Sequence, residues 1–133
     1  DTHFKLPYIY NRLSYLEKND FSVFRKKNSI FAMTAHIVFE AIDKIDCVTH
    51  SKKAIKYIRK KIGFKNLIVT DDISMKALKY SFDENVRKAY LSGCNLVLHC
   101  NANMKEMKHL ASIAPKVNDF IIKKTSEFYK LLS

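Results

Sequence analysis

The chain has 133 residues, 47% hydrophobic and 28% charged, with 24 basic against 13 acidic side chains and a formal net charge of +11. That length and composition suit part or all of one globular domain with an apolar core, and exclude a low-complexity or disordered chain. No apolar run approaches the roughly 18 residues of a membrane span, so no membrane partner is expected.

A basic balance by itself points to nucleic acid or an anionic surface. Only four of the basic residues are arginines, at 12, 25, 59 and 87, and the lysines are scattered in short pairs such as Lys26-Lys27 and Lys60-Lys61. Sequence-reading surfaces favour the bidentate arginine fork. The charge therefore reads as a solvated lysine-rich surface, with no nucleic acid expected. A non-enzymatic basic α/β fragment that binds RNA or another polyanion is the alternative. Cys47, Cys94 and Cys100 are odd in number and contain no C-x-x-C. They read as structural thiols in a reducing compartment. No secretory signal opens the chain. It starts at Asp1 without an initiator Met, so a processed chain or a piece of something longer is expected.

In chain order, residues 13–26 predict a helix carrying Leu13, Leu16 and Phe24. Residues 29–39, "SIFAMTAHIVF", form a continuous apolar run that fits a strand buried on both faces. A loop follows, and Ser51 is placed to cap a helix over 52–62 with Ile55, Ile58 and Ile62 on one face. Gly63 is placed to end it with positive φ. "NLIVT", 66–70, predicts a second strand, and "DDISMKALKY", 71–80, a helix. A further helix is capped by Ser81 or Asp83 and stopped by Gly93. "NLVLHC", 95–100, predicts a third strand, followed by a helix from 101 and a closing helix from about 118. Strands alternating with helices imply βα units and a parallel sheet.

Functional groups gather at the C-terminal ends of such strands. Here those ends carry Met33, Thr34 and His36, then Asp71 and Asp72, then His99 and Asn101. Three strands are few for a parallel sheet, and an eight-stranded barrel needs about 250 residues. The pattern resembles part of a barrel.

The residues alone leave each motif open. Asp71 and Asp72 can cap the next helix. A carboxylate at a strand end can equally serve as nucleophile, base or metal ligand. His36 reads as a hydrogen-bonded packing residue. A metal site from Asp71, Asp72, His36 and His99 lacks any close ligand spacing to support it. In "DTH", residues 1–3, Asp1 could orient a His3 general acid/base, although D-x-H is a common tripeptide.

Four ordered blocks, "DTHFKLP", "IFAMTAHIVF", "IRKKIGFKNLIVTDDISMKA" and "GCNLVLHCN", change the weighting. They resemble the β-N-acetylglucosaminidases of glycoside hydrolase family three, of the bacterial peptidoglycan-recycling type, from Asp1 to about Asn101. The resemblance implies an α/β fold that is the C-terminal part, about the last three βα units, of a (β/α)8 TIM barrel. Residues 1–133 would be a partial barrel domain with upstream strands missing. It implies Asp71 as nucleophile, His3 as acid/base from the family's D-[ST]-H motif, and Asp1 as the group that orients His3. It places Met33 against the sugar, with Met75 close by. No cofactor or metal is implied. The implied substrates are N-acetylglucosaminyl-anhydromuramyl muropeptides handled in the cytoplasm. The isolated fragment is expected to be inactive, because the family's K-H-x-P-G-H-G segment is not among these residues. The chain departs from the family at Asn66, where glycine is usual, and at Asn95, where aspartate is usual. Asn66 is expected to keep the turn through positive φ.

Overall fold

A computed structural model describes residues 4–25 and 27–132. Its centre is a three-stranded parallel sheet in the order β2–β4–β5, formed by Phe31–Met33, Leu67–Asp72 and Leu96–Leu98. Phe31 lies opposite Leu67 and Met33 opposite Val69, while Val69 lies opposite Leu96. The expected βα alternation is present.

The apolar run at 29–39 is not one strand. It breaks after β2, and Val38–Phe39 forms β3 in a separate parallel pair with β1, Tyr8–Ile9. The break has a polar cause. Thr34 and His36 are buried between the two halves and turn inward to hydrogen-bond Thr49. A straight strand cannot supply those bonds while keeping Ile37 and Val38 in its ladder.

Helix α1, Leu13–Asn19, is shorter than expected and passes into a 3-10 turn at Ser22–Phe24. Helix α2, Lys52–Tyr57, is capped as the sequence implies, with Ser51 Oγ accepting from the Ala54 N–H. The same hydroxyl donates to Asp43, whose carboxylate also accepts from Ile45 N–H. The helix widens into a π turn over Ile58–Ile62 and stops at Gly63, with φ of 85°. Below it, Arg59 donates to the Asn66 carbonyl and, 2.8 Å away, to Asn95 Oδ1, which also accepts from Ile68 N–H. Asn95 thus ties α2, β4 and β5 together with a neutral acceptor. Asn66 does not adopt positive φ, which among non-glycine described residues occurs only at Ala102. Its amide instead donates to the Ser29 carbonyl.

Helices α3, Phe82–Ser92, α4, Met104–Ile113, and α5, Asp119–Leu132, complete the layer. Ile55, Phe64, Ile68 and Cys94 form one core cluster between α2 and the sheet. Val38, Cys47, Ile73, Val86 and Ala89 form the other, under α3. Gly93 ends α3 with φ of 111°, and a Cβ there would meet Ile55 Cγ2 at 3.0 Å. Gly93→Ala is therefore expected to lower unfolding stability by about 1–3 kcal/mol, read as a lower denaturant midpoint with an unchanged slope. Among the described residues no helix is long and apolar enough to cross a membrane.

Candidate active site

Strand β4 leaves the core through Thr70, fully buried, then Asp71 and Asp72, both half-buried. Against β5, Val69 pairs with Leu96 but Asp72 pairs with Leu98. Three steps on β4 match two on β5, so β4 carries one extra residue, a bulge spanning Thr70 and Asp71. Bulges next to sites redirect a side chain and interrupt the ladder. Here the interruption is repaired by side chains. Leu98 N–H donates to Thr70 Oγ1 at 2.9 Å, and Ile73 N–H donates to the Leu98 carbonyl. A threonine hydroxyl thus takes the place of a missing backbone partner.

Asp71 and Asp72 divide their work. Asp71 Oδ1 accepts only one described bond, from the adjacent Asp72 N–H at 2.8 Å. No other hydrogen bond reaches this carboxylate among the described residues. Asp72 is fully engaged. Its carboxylate accepts from Ser74 N–H at 3.0 Å, from the Ser74 hydroxyl at 2.8 Å, and from Cys100 N–H at 3.0 Å. Burial pushes the Asp72 carboxyl up, but the Ser74 and Cys100 donors, with nearby His99, outweigh it and hold the group below its ordinary value. Asp72 stays ionised as a structural anchor.

That engagement overturns one expectation. Residues 71–80 are not a helix but a series of turns, with Met75 N–H on the Asp72 carbonyl and Leu78 N–H on the Met75 carbonyl. Asp72 caps a tight Asx-type turn rather than a helix, because Ser74 takes both its backbone and hydroxyl donors to the same carboxylate.

Met33 stands at the end of β2, 59% exposed, opposite Val69 and two residues from Asp71 along β4. Met75 lies half-buried in the turn after β4. The strand end of β5 adds His99, Cys100 and Asn101. His99 packs against the helix layer, with Nε2 3.0 Å from Glu106 and its ring edge-on to Phe82. Asn101 donates to the same Glu106. Cys100 is exposed, and burial, reinforced by the Asp72 and Asp71 charges, raises its thiol above the ordinary value. Among the described residues no group of three His, Cys, Asp or Glu side chains could hold a metal ion. The Asp1 and His3 positions lie outside the described residues.

Sequence reasoning missed Ser74 and Thr49. Thr49 is fully buried and bonds both Thr34 and His36. The signal for Ser74 was available: a serine two residues after an aspartate is the pattern of an Asx turn.

Known proteins share this geometry. The description "Glycosyl hydrolase family 3 N terminal domain" matches residues 1–124. A β-hexosaminidase of Nitrosomonas eutropha is 31% identical over 106 residues, 76% of this chain and 30% of that protein. NagZ from Neisseria gonorrhoeae, solved in complex with N-trifluoroacetyl-D-glucosamine, superposes with TM-score 0.75 at 25% identity, covering 93% of this chain and 37% of that one. A glycoside hydrolase family 3 β-N-acetylglucosaminidase from a Paenibacillus species superposes with TM-score 0.76 at 25% identity, over 85% of this chain and 23% of its own. The chain thus spans between 23% and 37% of the length of these relatives, and its βα units are an α/β fragment of the family's TIM-barrel fold. A bulged strand-end aspartate and a match over nearly the whole chain lead to one assignment: the chain belongs to glycosyl hydrolase family 3, within its N terminal domain.

Proposed function

We propose that the natural protein containing these residues is a retaining β-N-acetylglucosaminidase. It removes terminal, non-reducing β-N-acetylglucosamine from peptidoglycan fragments in the cytoplasm, the N-acetylglucosaminyl-anhydromuramyl muropeptides. The observation that carries the reading is Asp71. It sits on a bulge at a strand's C-terminal end, half-buried, with one oxygen fixed by the Asp72 N–H and the rest unengaged among the described residues.

The proposed chemistry takes its nucleophile from that placement and its acid/base pair, His3 and Asp1, from the family resemblance of the "DTH" motif. Asp71 attacks the anomeric carbon while His3 protonates the departing glycosidic oxygen, and a glycosyl-aspartate ester forms. His3 then takes a proton from water, the water oxygen attacks the anomeric carbon, and Asp71 leaves as carboxylate. Net configuration is retained. Asp1 holds the His3 imidazole and favours its charged form, and imidazole suits this work because it titrates near neutral pH. Met33 and Met75 supply apolar contact to the sugar. Neither a metal nor an organic cofactor enters any step.

The three strands cannot close a barrel. In closed barrels the inward side chains fill a shared interior. Here Met33 is largely exposed, and Leu96 and Leu98 are only half-buried. We propose that upstream βα units of the same protein complete the sugar pocket, and that residues 1–133 form a partial barrel domain without useful activity alone. The test compares hydrolysis of a chromogenic aryl β-N-acetylglucosaminide by the natural-length protein and by residues 1–133. Turnover by the first and none by the second is expected. Comparable turnover by both would refute the need for upstream units, and none by the natural-length protein would refute the glycosidase reading.

A further inference from the structure

His36 is 3% exposed and lies beyond the end of β2. Its Nε2 is 2.9 Å from the Asp72 carbonyl oxygen, and its Nδ1 is 2.8 Å from Thr49 Oγ1. A carbonyl oxygen only accepts, so Nε2 carries a proton. In the neutral ring Nδ1 is then an acceptor, and the Thr49 hydroxyl is the donor in reach; its other acceptor, the Ala35 carbonyl, is farther, at 3.5 Å. Thr34 Oγ1, 2.9 Å from Thr49 Oγ1, donates in turn to Thr49. The proton order runs from Thr34 to Thr49 to His36 to the Asp72 carbonyl. All three side chains are buried, so each bond has no ready substitute from solvent.

We propose that His36 is a positioning residue for Asp71, acting through the Asp72 backbone. The inference rests on the reading of Asp71 as nucleophile. Asp72 is held at three points. Its N–H is bound by Asp71 Oδ1, its carboxylate by Ser74 and Cys100 N–H, and its carbonyl by His36 at 2.9 Å and, locally, by Met75 N–H at 3.2 Å. The N–H on Asp71 Oδ1 belongs to the Asp71–Asp72 peptide and the carbonyl on His36 to the Asp72–Ile73 peptide; the two planes meet at the Asp72 Cα, whose carboxylate is itself tied to Ser74 and Cys100, so fixing the carbonyl limits how the Asp71 carboxylate is carried. Ser74 is a local contact and Cys100 follows β5. His36 is the tie that comes from the β2 side. It braces the bulge against the strand opposite β5, together with the Thr34 N–H bond to the Val69 carbonyl. A nucleophile on a bulge lacks a regular ladder to hold it, so side-chain bracing sets its aim. A small misplacement of a reacting group costs about 100-fold in rate.

The first test reads the ring directly. In the nitrogen-15-labelled protein, proton–nitrogen correlation spectra of the His36 imidazole are expected to place the proton on Nε2. A ring protonated on Nδ1 alone would overturn the proposal. The second test is kinetic, in the natural-length protein. His36→Gln puts an amide N–H near the position of Nε2, His36→Leu fills the space without a donor, and His36→Asn can reach Thr49 but not Asp72. For His36→Leu, kcat is expected to fall about 10- to 100-fold with KM changed by less than about twofold, and His36→Gln to recover most of the loss. Should His36→Leu fail to fold, His36→Asn takes its place with the same expectation. Equal loss in the Gln and Asn variants, or loss that merely tracks the unfolded fraction, would mean packing alone and overturn the proposal. Asp71→Asn run alongside separates the two readings. If it keeps full turnover, the nucleophile assignment fails. If it loses turnover while His36→Leu and His36→Asn do not, the positioning role fails and the nucleophile assignment stands.

Discussion

Asp71→Asn in the natural-length protein is expected to reduce kcat toward β-N-acetylglucosaminides on the order of 10⁴-fold, with little change in fold. The substitution is nearly isosteric, and an amide oxygen can still accept from the Asp72 N–H that now binds Oδ1. The bulge should survive, since it is pinned by Thr70, Asp72 and His36 rather than by Asp71. What disappears is the capacity to form a glycosyl ester, because a neutral amide is a poor nucleophile. A fluorinated glycosyl substrate that stalls after the first step should add its sugar mass to the peptide containing Asp71 in the wild type, and to no peptide in the variant. Retention of turnover within about tenfold, or a label on a different carboxylate, would sink the assignment. The same substitution at Asp72 has a different expected outcome. Asp72→Asn removes an anion that accepts from Ser74 and Cys100, so it should cost stability and loosen the strand end rather than delete the chemical group.

This division was only partly legible beforehand. "TDD" after an apolar strand marked the strand end where the structure places the bulge, a position at which parallel sheets collect function. Spacing could not say which aspartate was free and which was engaged. That depends on Ser74 and on Cys100 N–H, and the second partner is 28 residues away. Helical expectation over 71–80 failed for the same reason. "ISMKALKY" has helix-forming residues, but the Asp72 carboxylate competes for the Ser74 donors and the turn closes before a helix can start. The long apolar run at 29–39 misled in a complementary way. Its periodicity allows one strand, and only the buried Thr34–Thr49–His36 contacts explain why it divides into two strands of different sheets. By contrast, the ends of α2 and α3 were readable because a capping serine and a glycine of positive φ act locally. The proposed role of His36 illustrates the same boundary. A histidine at a strand end reads as packing until its second nitrogen is seen on the Asp72 carbonyl, one residue after the proposed nucleophile.

The folded protein should lose stability as pH falls from about 6.5 to 4, and His50 is the expected cause. Its ring is buried and lies 5.9 Å from the Tyr80 ring, centroid to centroid. Burial foremost, then neighbouring His36, lowers its pKa from 6.5 to about 4. Asp46 pulls the other way, Lys88 adds to the lowering, and the Asn85 backbone bond partly offsets it. In the unfolded chain the same ring binds a proton near 6.5. Between those values the unfolded state holds more protons, so stability rises with pH and falls on acidification. The full shift corresponds to roughly 3 kcal/mol, an order-of-magnitude figure. Asp72 and Asp43 act in a separate window. Burial raises each carboxyl, but hydrogen bonds dominate and hold both below 3.8, so their stabilisation is present above that value and is lost below it. His50→Gln should therefore flatten the pH 6.5–4 limb while leaving the loss below 3.8 in place. Urea unfolding at pH 7, 5.5, 4.5 and 3 distinguishes the two limbs. Parallel slopes for wild type and variant across the upper limb would show that His50 does not govern it, and that its burial is relieved before it charges.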